Sequence, residues 1–251
     1  MKCYAFIIGL FLGSYVGFFH PQVYANSLTI NTIHKPSSIK LLRGIVIDYS
    51  SGMPLSNAEI WIQGTSIEEA IQITTDESGI FELEIASGIY RIQVKSQRYY
   101  TTEILKSIPF DQETEIQMTI SLQRVVIGQV FALKGIQFSL NSFRFDTYSR
   151  NLEELIQILR TNPNLMVEIC CHTDSRGDDE YNLNLSQERA EYIVKYLITR
   201  GISESQLAAR GYGETLPLNH CTNGVRCSGR EHTQNRRLEY VVIGLKDDAI
   251  E

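Results

Sequence analysis

A chain of 251 residues, 43% apolar and 21% charged, is long enough for one large domain or two small ones with cores of their own, and its composition excludes a largely disordered polypeptide. Acidic residues outnumber basic ones 29 to 23, a net charge of −6, so the surface as a whole does not attract nucleic acid or anionic lipid. An anionic polymer would have to be held at a local site.

Residues 1–25 read as a secretory signal peptide: Lys2, the acid-free run CYAFIIGLFLGSYVGFF, then Val23-Tyr24-Ala25 as a small-residue cleavage pattern. The alternative is an uncleaved anchor, because the run approaches the length needed to span a bilayer. Cys3 stands at the start of the run, before its apolar core, and no cysteine follows it at a small-residue junction, so lipid attachment is not expected. Loss of the segment leaves 22 basic against 29 acidic residues, a charge of −7. Residues 26–41 are polar and aperiodic and read as a linker.

From Leu42 short alternating segments begin. LRGIVIDYSSGMPLSNAEIWIQG gives two strands around a Ser-Gly turn, and IQITTDESGIFELEIASGIYRIQVKS gives three more around DESG and ASG. Close, regular spacing of this kind argues for an all-β sandwich. Residues 42–122 resemble the carboxypeptidase regulatory-like, transthyretin-type or Ig-like sandwich modules, through GIVIDYSSGMPLSNAEIWIQGT, TTDESGIFEL and GIYRIQVKSQRYY. That resemblance implies packing or partner contact and no chemistry. Trp61, Tyr99 and Tyr100 read as core or rim aromatics, with a contact patch as the alternative. The alternating segments are too few and too short for a membrane barrel.

Residues 124–245 change pattern. Arg124 to Asn141 forms a connector or first strand. Leu152, Leu155, Ile156 and Leu159 then mark one face of a helix that stops before Pro163, and LMVEICC follows as a strand. Ser186 stands where an N-cap belongs, and Ala190, Ile193, Val194, Leu197 and Ile198 make a second apolar stripe closed by Gly201. AARGYG and RRLEYVVIG read as further strands. The expectation is an α+β chain of two domains: a β-sandwich, then an α/β domain of a sheet with two or more helices, with 246–251 as an acidic tail. Of the cysteines after the signal segment, Cys221 and Cys227 flank TNGVR, whose Asn-Gly turn lets a disulfide close a short loop. Cys170 and Cys171 alternate along a strand and read as packed thiols.

With Ser186 as cap, Arg189 falls at the third helical position, where the helix terminus disfavours a cation, and Asp174 lies at the end of the preceding strand. The charges alone allow two readings. The pair can clamp a zwitterion, carboxylate to ammonium and guanidinium to carboxylate, or it can form a plain salt bridge worth about 0–1 kcal/mol.

VEICCHTDSRGDDEYNLNLSQERAEYIVKYLITRGI, ARGYGE and NRRLEY resemble, in order and from about Phe138 to Gly244, the peptidoglycan-binding domain of the OmpA-like family. The resemblance implies that Asp174 in HTD and Arg189 in LSQERA bind the diaminopimelate side chain of the peptidoglycan stem peptide. It also implies pocket-lining roles for Asp146, Thr173, Asn182, Leu185, Ser186 and Arg237, with Asn235 and Arg236 in the same NRR motif. No cofactor, metal or nucleic acid is implied, and the setting would be the periplasm beside the outer membrane, with an envelope partner for the sandwich. Two departures stand out: Cys171 replaces the glycine usual before HTD, and CTNGVRCSGREHTQ is inserted just before NRR.

Two other functions compete. A metal-dependent hydrolase would draw on His172, Asp174, His220, Cys221 and His232, but no close-spaced ligand pair and no Gly-x-Ser-x-Gly elbow is present. His172 reads as a packed strand residue and His232 as a loop histidine. An interaction scaffold without wall binding would leave Asp174 and Arg189 unexplained. Asp178 to Glu180 read as a solvated acidic loop.

Overall fold

The computed structural model describes residues 39–246 except 66–68, 111–113, 137, 139–141 and 146–148. The signal segment, the linker up to residue 38, Asp146 and tail residues 247–251 lie outside the described residues. Among those described, no helix is long and apolar enough to cross a membrane.

The amino-terminal half consists of β1 (Ile39–Asp48), β2 (Glu59–Gly64), β3 (Ile71–Thr74), β4 (Ile80–Ala86), β5 (Gly88–Lys95), β6 (Thr102–Ile108) and β7 (Glu115–Leu122). These make two sheets, β4-β1-β7 and β3-β2-β5-β6. Strand β1 runs antiparallel to β4 and parallel to β7, whereas the second sheet is antiparallel throughout. Leu42, Val46, Phe81, Ile85 and Ile120 of one sheet and Ile60, Ile62, Ile92 and Val94 of the other form a single core. The period of two therefore reads through directly: Ile60 and Ile62 turn inward and Trp61 outward. Strand β1 begins inside the stretch expected to be linker, because Ile39 and Lys40 still pair with Ala86 and Ile85.

The carboxy-terminal half contains β8 (Val130–Ala132), α1 (Arg150–Thr161), β9 (Leu165–His172), α2 (Asp179–Thr199), a 3-10 turn at Glu204–Gln206, β10 (Leu207–Gly213), α3 (Gly229–Asn235) and β11 (Leu238–Leu245). Its sheet has the order β10-β9-β11-β8, with β9 parallel to β10 and antiparallel to β11. The stripe Leu152, Leu155, Ile156 and Leu159 of α1 and the stripe Ala190, Ile193 and Leu197 of α2 pack with Val167, Ile169 and Val242 of the sheet. The short α3 was not foreseen, and it places His232 in a buried helical position instead of a loop.

The expected start of α2 is wrong. Asp178 is the N-cap and accepts a hydrogen bond from Tyr181 N at 3.0 Å, while Asp179 and Glu180 occupy the first turn, where anions are favoured. Ser186 is fully buried well inside the helix. Its hydroxyl donates to Leu183 O and accepts from Gly213 N, both at 2.8 Å, so it fastens α2 to β10. Gln187 Oε1 adds a second fastening by accepting from Gly211 N at 2.7 Å. Arg189 consequently lies about three turns into the helix, beyond the influence of its terminus.

The two halves meet through ordered contacts. Residues 123–125 run beside 98–100, with Tyr100 N donating to Gln123 O at 2.9 Å and Val125 N to Arg98 O at 2.8 Å. The Tyr99 hydroxyl donates to Asp48 at 2.7 Å, and Tyr100 packs against the α/β core. Thr101 N donates to Oδ1 of buried Asn162 at 2.8 Å, and Asn162 Nδ2 closes α1 by donating to Ile158 O.

A Cβ at Gly211 would collide with the backbone of Gln187, so the helix sits this close to β10 only because that side chain is missing. Gly211→Ala is expected to cost about 1–3 kcal/mol of stability, measured as a lower denaturant midpoint for the α/β half with the sandwich transition unchanged.

Candidate functional site

Strand β9 carries the buried run Cys171, His172, Thr173 and Asp174 past its end and delivers it to a cavity of about 740 Å³. The cavity is closed by Asn182, Leu185 and Arg189 of α2, by Arg176 of the β9–α2 loop, and by Thr233, Arg236 and Arg237 at the end of α3. Thr173, Asp174, Asn182, Leu185, Arg189 and Arg237 line one cavity. Ser186 sits behind the wall, and Asp146 lies outside the described residues.

Asp174 is 5% exposed, and a carboxylate so far from water needs partners. Arg176 supplies two, with Nε to Oδ1 at 3.0 Å and Nη2 to Oδ2 at 2.9 Å, and its backbone N–H adds a third at 3.1 Å. Arg236 Nη1 makes a short contact to Oδ2. Burial on its own would raise the carboxyl pKa; the hydrogen bonds from Arg176 and Arg236 outweigh it and hold the group at about 2.

The plain Asp174–Arg189 salt bridge is absent. Arg189 Nε donates to Ser142 O at 2.9 Å, and its guanidinium lies over the Phe138 ring, 4.7 Å from the centroid. Half-burial lowers its pKa, but a guanidinium keeps its charge. The NRR motif divides differently from expectation: Arg236 reaches Asp174, whereas Arg237 pairs with Glu239 at 2.9 Å while still lining the cavity. Buried Asn235 works behind the wall, accepting from Leu218 N and donating to Asn219. Asn182 Nδ2 donates to Glu214 at 2.6 Å and to the carbonyls of Asp174 and Arg176, fixing the loop that carries the acid. Thr173 Oγ1 is buried with no partner among the described residues.

Cys221 and Cys227 are joined in a disulfide. His220 lies close to both sulfurs, but paired sulfurs offer no thiolate, so this cluster does not support the hydrolase reading. Cys170 and Cys171 are buried free thiols; burial pushes Cys170 up to about 12 and Cys171 higher still, so neither is a nucleophile at neutral pH. Arg236 and Arg176 are the residues that sequence reasoning undervalued. Both sit in motifs already singled out, but only the closure of α3 against the β9–α2 loop reveals their shared partner.

The α/β scaffold thus gathers one buried acid and several guanidinium groups in a single cavity. Residues 137–229 match the model of the OmpA family and residues 42–123 that of the carboxypeptidase regulatory-like domain. A peptidoglycan-associated lipoprotein of Buchnera aphidicola subsp. Baizongia pistaciae is 37% identical over 109 residues, 43% of this chain and 59% of that protein. The corresponding lipoprotein of Legionella pneumophila is 33% identical over 120 residues, 45% of this chain and 65% of that protein. The chain thus spans less than two thirds of either relative. The crystal structure of the peptidoglycan-associated lipoprotein from Burkholderia pseudomallei has 30% identity and a TM-score of 0.38, over 42% of this chain and 86% of that one.

His172 provides a pH test of the cavity floor. It is buried, stacked on Tyr212 with centroids 5.0 Å apart, and burial together with nearby Arg237 lowers its pKa to about 4 against the opposing pull of Glu239. The unfolded chain takes up this proton first, so the neutral histidine favours folding fully above about pH 6.5, and that contribution is lost as pH falls toward 4. His172→Phe keeps the stack and is expected to flatten the denaturation midpoint over that window.

Proposed function

We propose that the α/β domain holds the diaminopimelate side chain of the peptidoglycan stem peptide without making or breaking a bond, and so tethers an envelope component to the cell wall. The observation that carries this reading is one cavity containing the buried Asp174 carboxylate, the half-buried Arg189 guanidinium and the unpartnered Thr173 hydroxyl. The far end of diaminopimelate is a zwitterion. Its ammonium goes to Asp174 and its carboxylate to Arg189, with Thr173 Oγ1 completing the contact. The names of the two relatives support the same reading, which places the protein in the cell envelope with the sandwich turned to a partner there.

Arg176 occupies Asp174 in the resting protein, as an internal stand-in for the incoming ammonium. Its side chain is 61% exposed, so displacing it costs little, while the less exposed Arg236 remains. Two or three charge-assisted contacts of about 1.5–3 kcal/mol each, set against the cost of association, give single-site binding in the high-micromolar to millimolar range. A wall that repeats its stem peptide raises the effective concentration enough to keep a confined protein attached.

The test is co-sedimentation with purified sacculi, with folding checked by circular dichroism. Asp174→Asn and Arg189→Ala are each expected to weaken retention roughly ten- to a hundredfold. Arg176→Ala is expected to strengthen it, by up to about fivefold. Equal pelleting of wild type, Asp174→Asn and Arg189→Ala would sink the reading.

A further inference from the structure

A second cleft, of about 500 Å³, lies where the outer face of β2 and β5 meets the carboxyl end of α1. Because Ile60, Ile62, Ile92 and Val94 turn into the sandwich core, Trp61, Gln93 and Lys95 are left on this face. Arg160 comes from the last turn of α1 and Lys246 from the end of β11. In a chain of net charge −6, the described residues that line this cleft include three cations and no carboxylate.

Arg160 and Lys246 are held by carbonyls, and among the described residues no ion pair neutralises them. Arg160 Nη2 donates to Arg200 O at 2.6 Å, and Lys246 Nζ donates to Pro163 O at 3.0 Å. Glu59 stands opposite Lys95 in the β2–β5 ladder, yet among the described residues no ion pair joins them. A carbonyl acceptor fixes a cation in place and leaves its full charge available. Trp61 is half-buried, and its indole N–H meets no acceptor among the described residues.

We propose that this cleft is a second ligand site, independent of the Asp174 cavity, and that it takes a carboxylate-bearing saccharide. The indole offers an apolar face to a sugar ring, the cations hold the carboxylate, and the amide of Gln93 reaches the hydroxyls. The end of α1 decides between this and a compact phosphate. A helix carboxyl terminus presents carbonyls, which repel a dianion and accept hydrogen bonds from sugar hydroxyls.

Trp61 is the only tryptophan in the sequence, so tryptophan emission of the full chain reads this cleft alone. N-Acetylmuramic acid is expected to change the emission saturably, neutral N-acetylglucosamine to bind at least about fivefold more weakly, and inorganic phosphate to leave it unchanged. Lys95→Gln and Arg160→Gln, both at exposed positions, are each expected to weaken the response about fivefold or more. Calorimetric binding of diaminopimelate stays as in wild type in these variants, whereas Asp174→Asn abolishes it and leaves the Trp61 response intact. The proposal is overturned by no saturable response, by equal responses to all three probes, or by a response that survives when Lys95→Gln and Arg160→Gln are combined. A response seen only after removal of residues 247–251 also overturns it, since the acidic tail is then the occupant.

Discussion

A carboxylate removed from water must be met by cations or give up its charge. Asp174 is met by Arg176 and Arg236, and much of the α/β domain arranges itself around that requirement. Arg236 stands at the end of α3, so the acid ties that helix to the β9–α2 loop. The same loop is fixed from below by Asn182 and ends in the Asp178 cap of α2. Helix α2 in turn lies against β10 through Ser186, Gln187 and the bare backbone of Gly211. A single buried charge is thus held by a chain of short hydrogen bonds running through two helices and two strands.

The insertion before NRR belongs to this arrangement. Cys221 is fully buried and bonded to Cys227, Cys221 N donates to Asn219 Oδ1, and Asn219 Nδ2 donates to Glu231 O of α3. Ser228 and Glu231 form a reciprocal capping box at the start of that short helix. A seven-residue helix has little stability alone. The staple and the cap together let α3 present Thr233 and Arg236 at fixed positions, which the unconstrained insertion would not.

The apolar stripes of α1 and of the second half of α2 were legible because their cores are made of leucine, isoleucine and alanine at helical spacing. The beginning of α2 was not, for a specific reason. Its buried face continues back from Ala190 through Ser186 to Asn182, at the same spacing, but those residues are polar and are satisfied by β10, Glu214 and the loop. A polar buried face looks like solvent-facing loop in sequence, and Ser186 was mistaken for a cap. Motif order grouped Thr173, Asp174, Asn182, Leu185, Arg189 and Arg237, and these residues line one cavity. The partner of Asp174 was not, because Arg236 is 62 residues away and reaches it only through the fold of an insertion. In the sandwich, the alternation of β1, β2 and β5 was plain, whereas β6 alternates between intermediate and exposed positions up to its buried last residue, Ile108, and gives little contrast.

The parallel pairing of β1 with β7 determines how the sandwich responds to force. Residues Leu41 to Asp48 lie in register with Glu115 to Leu122, so the chain enters the sheet at one end of this ladder and leaves at the other. A pull between residues 39 and 122 therefore slides the two strands past each other in shear. Every rung is loaded at once, where an antiparallel exit would let the bonds unzip one at a time. Rupture under such a pull is governed by the unfolding barrier, not by equilibrium stability. A module wired this way transmits tension from its amino end to the α/β domain.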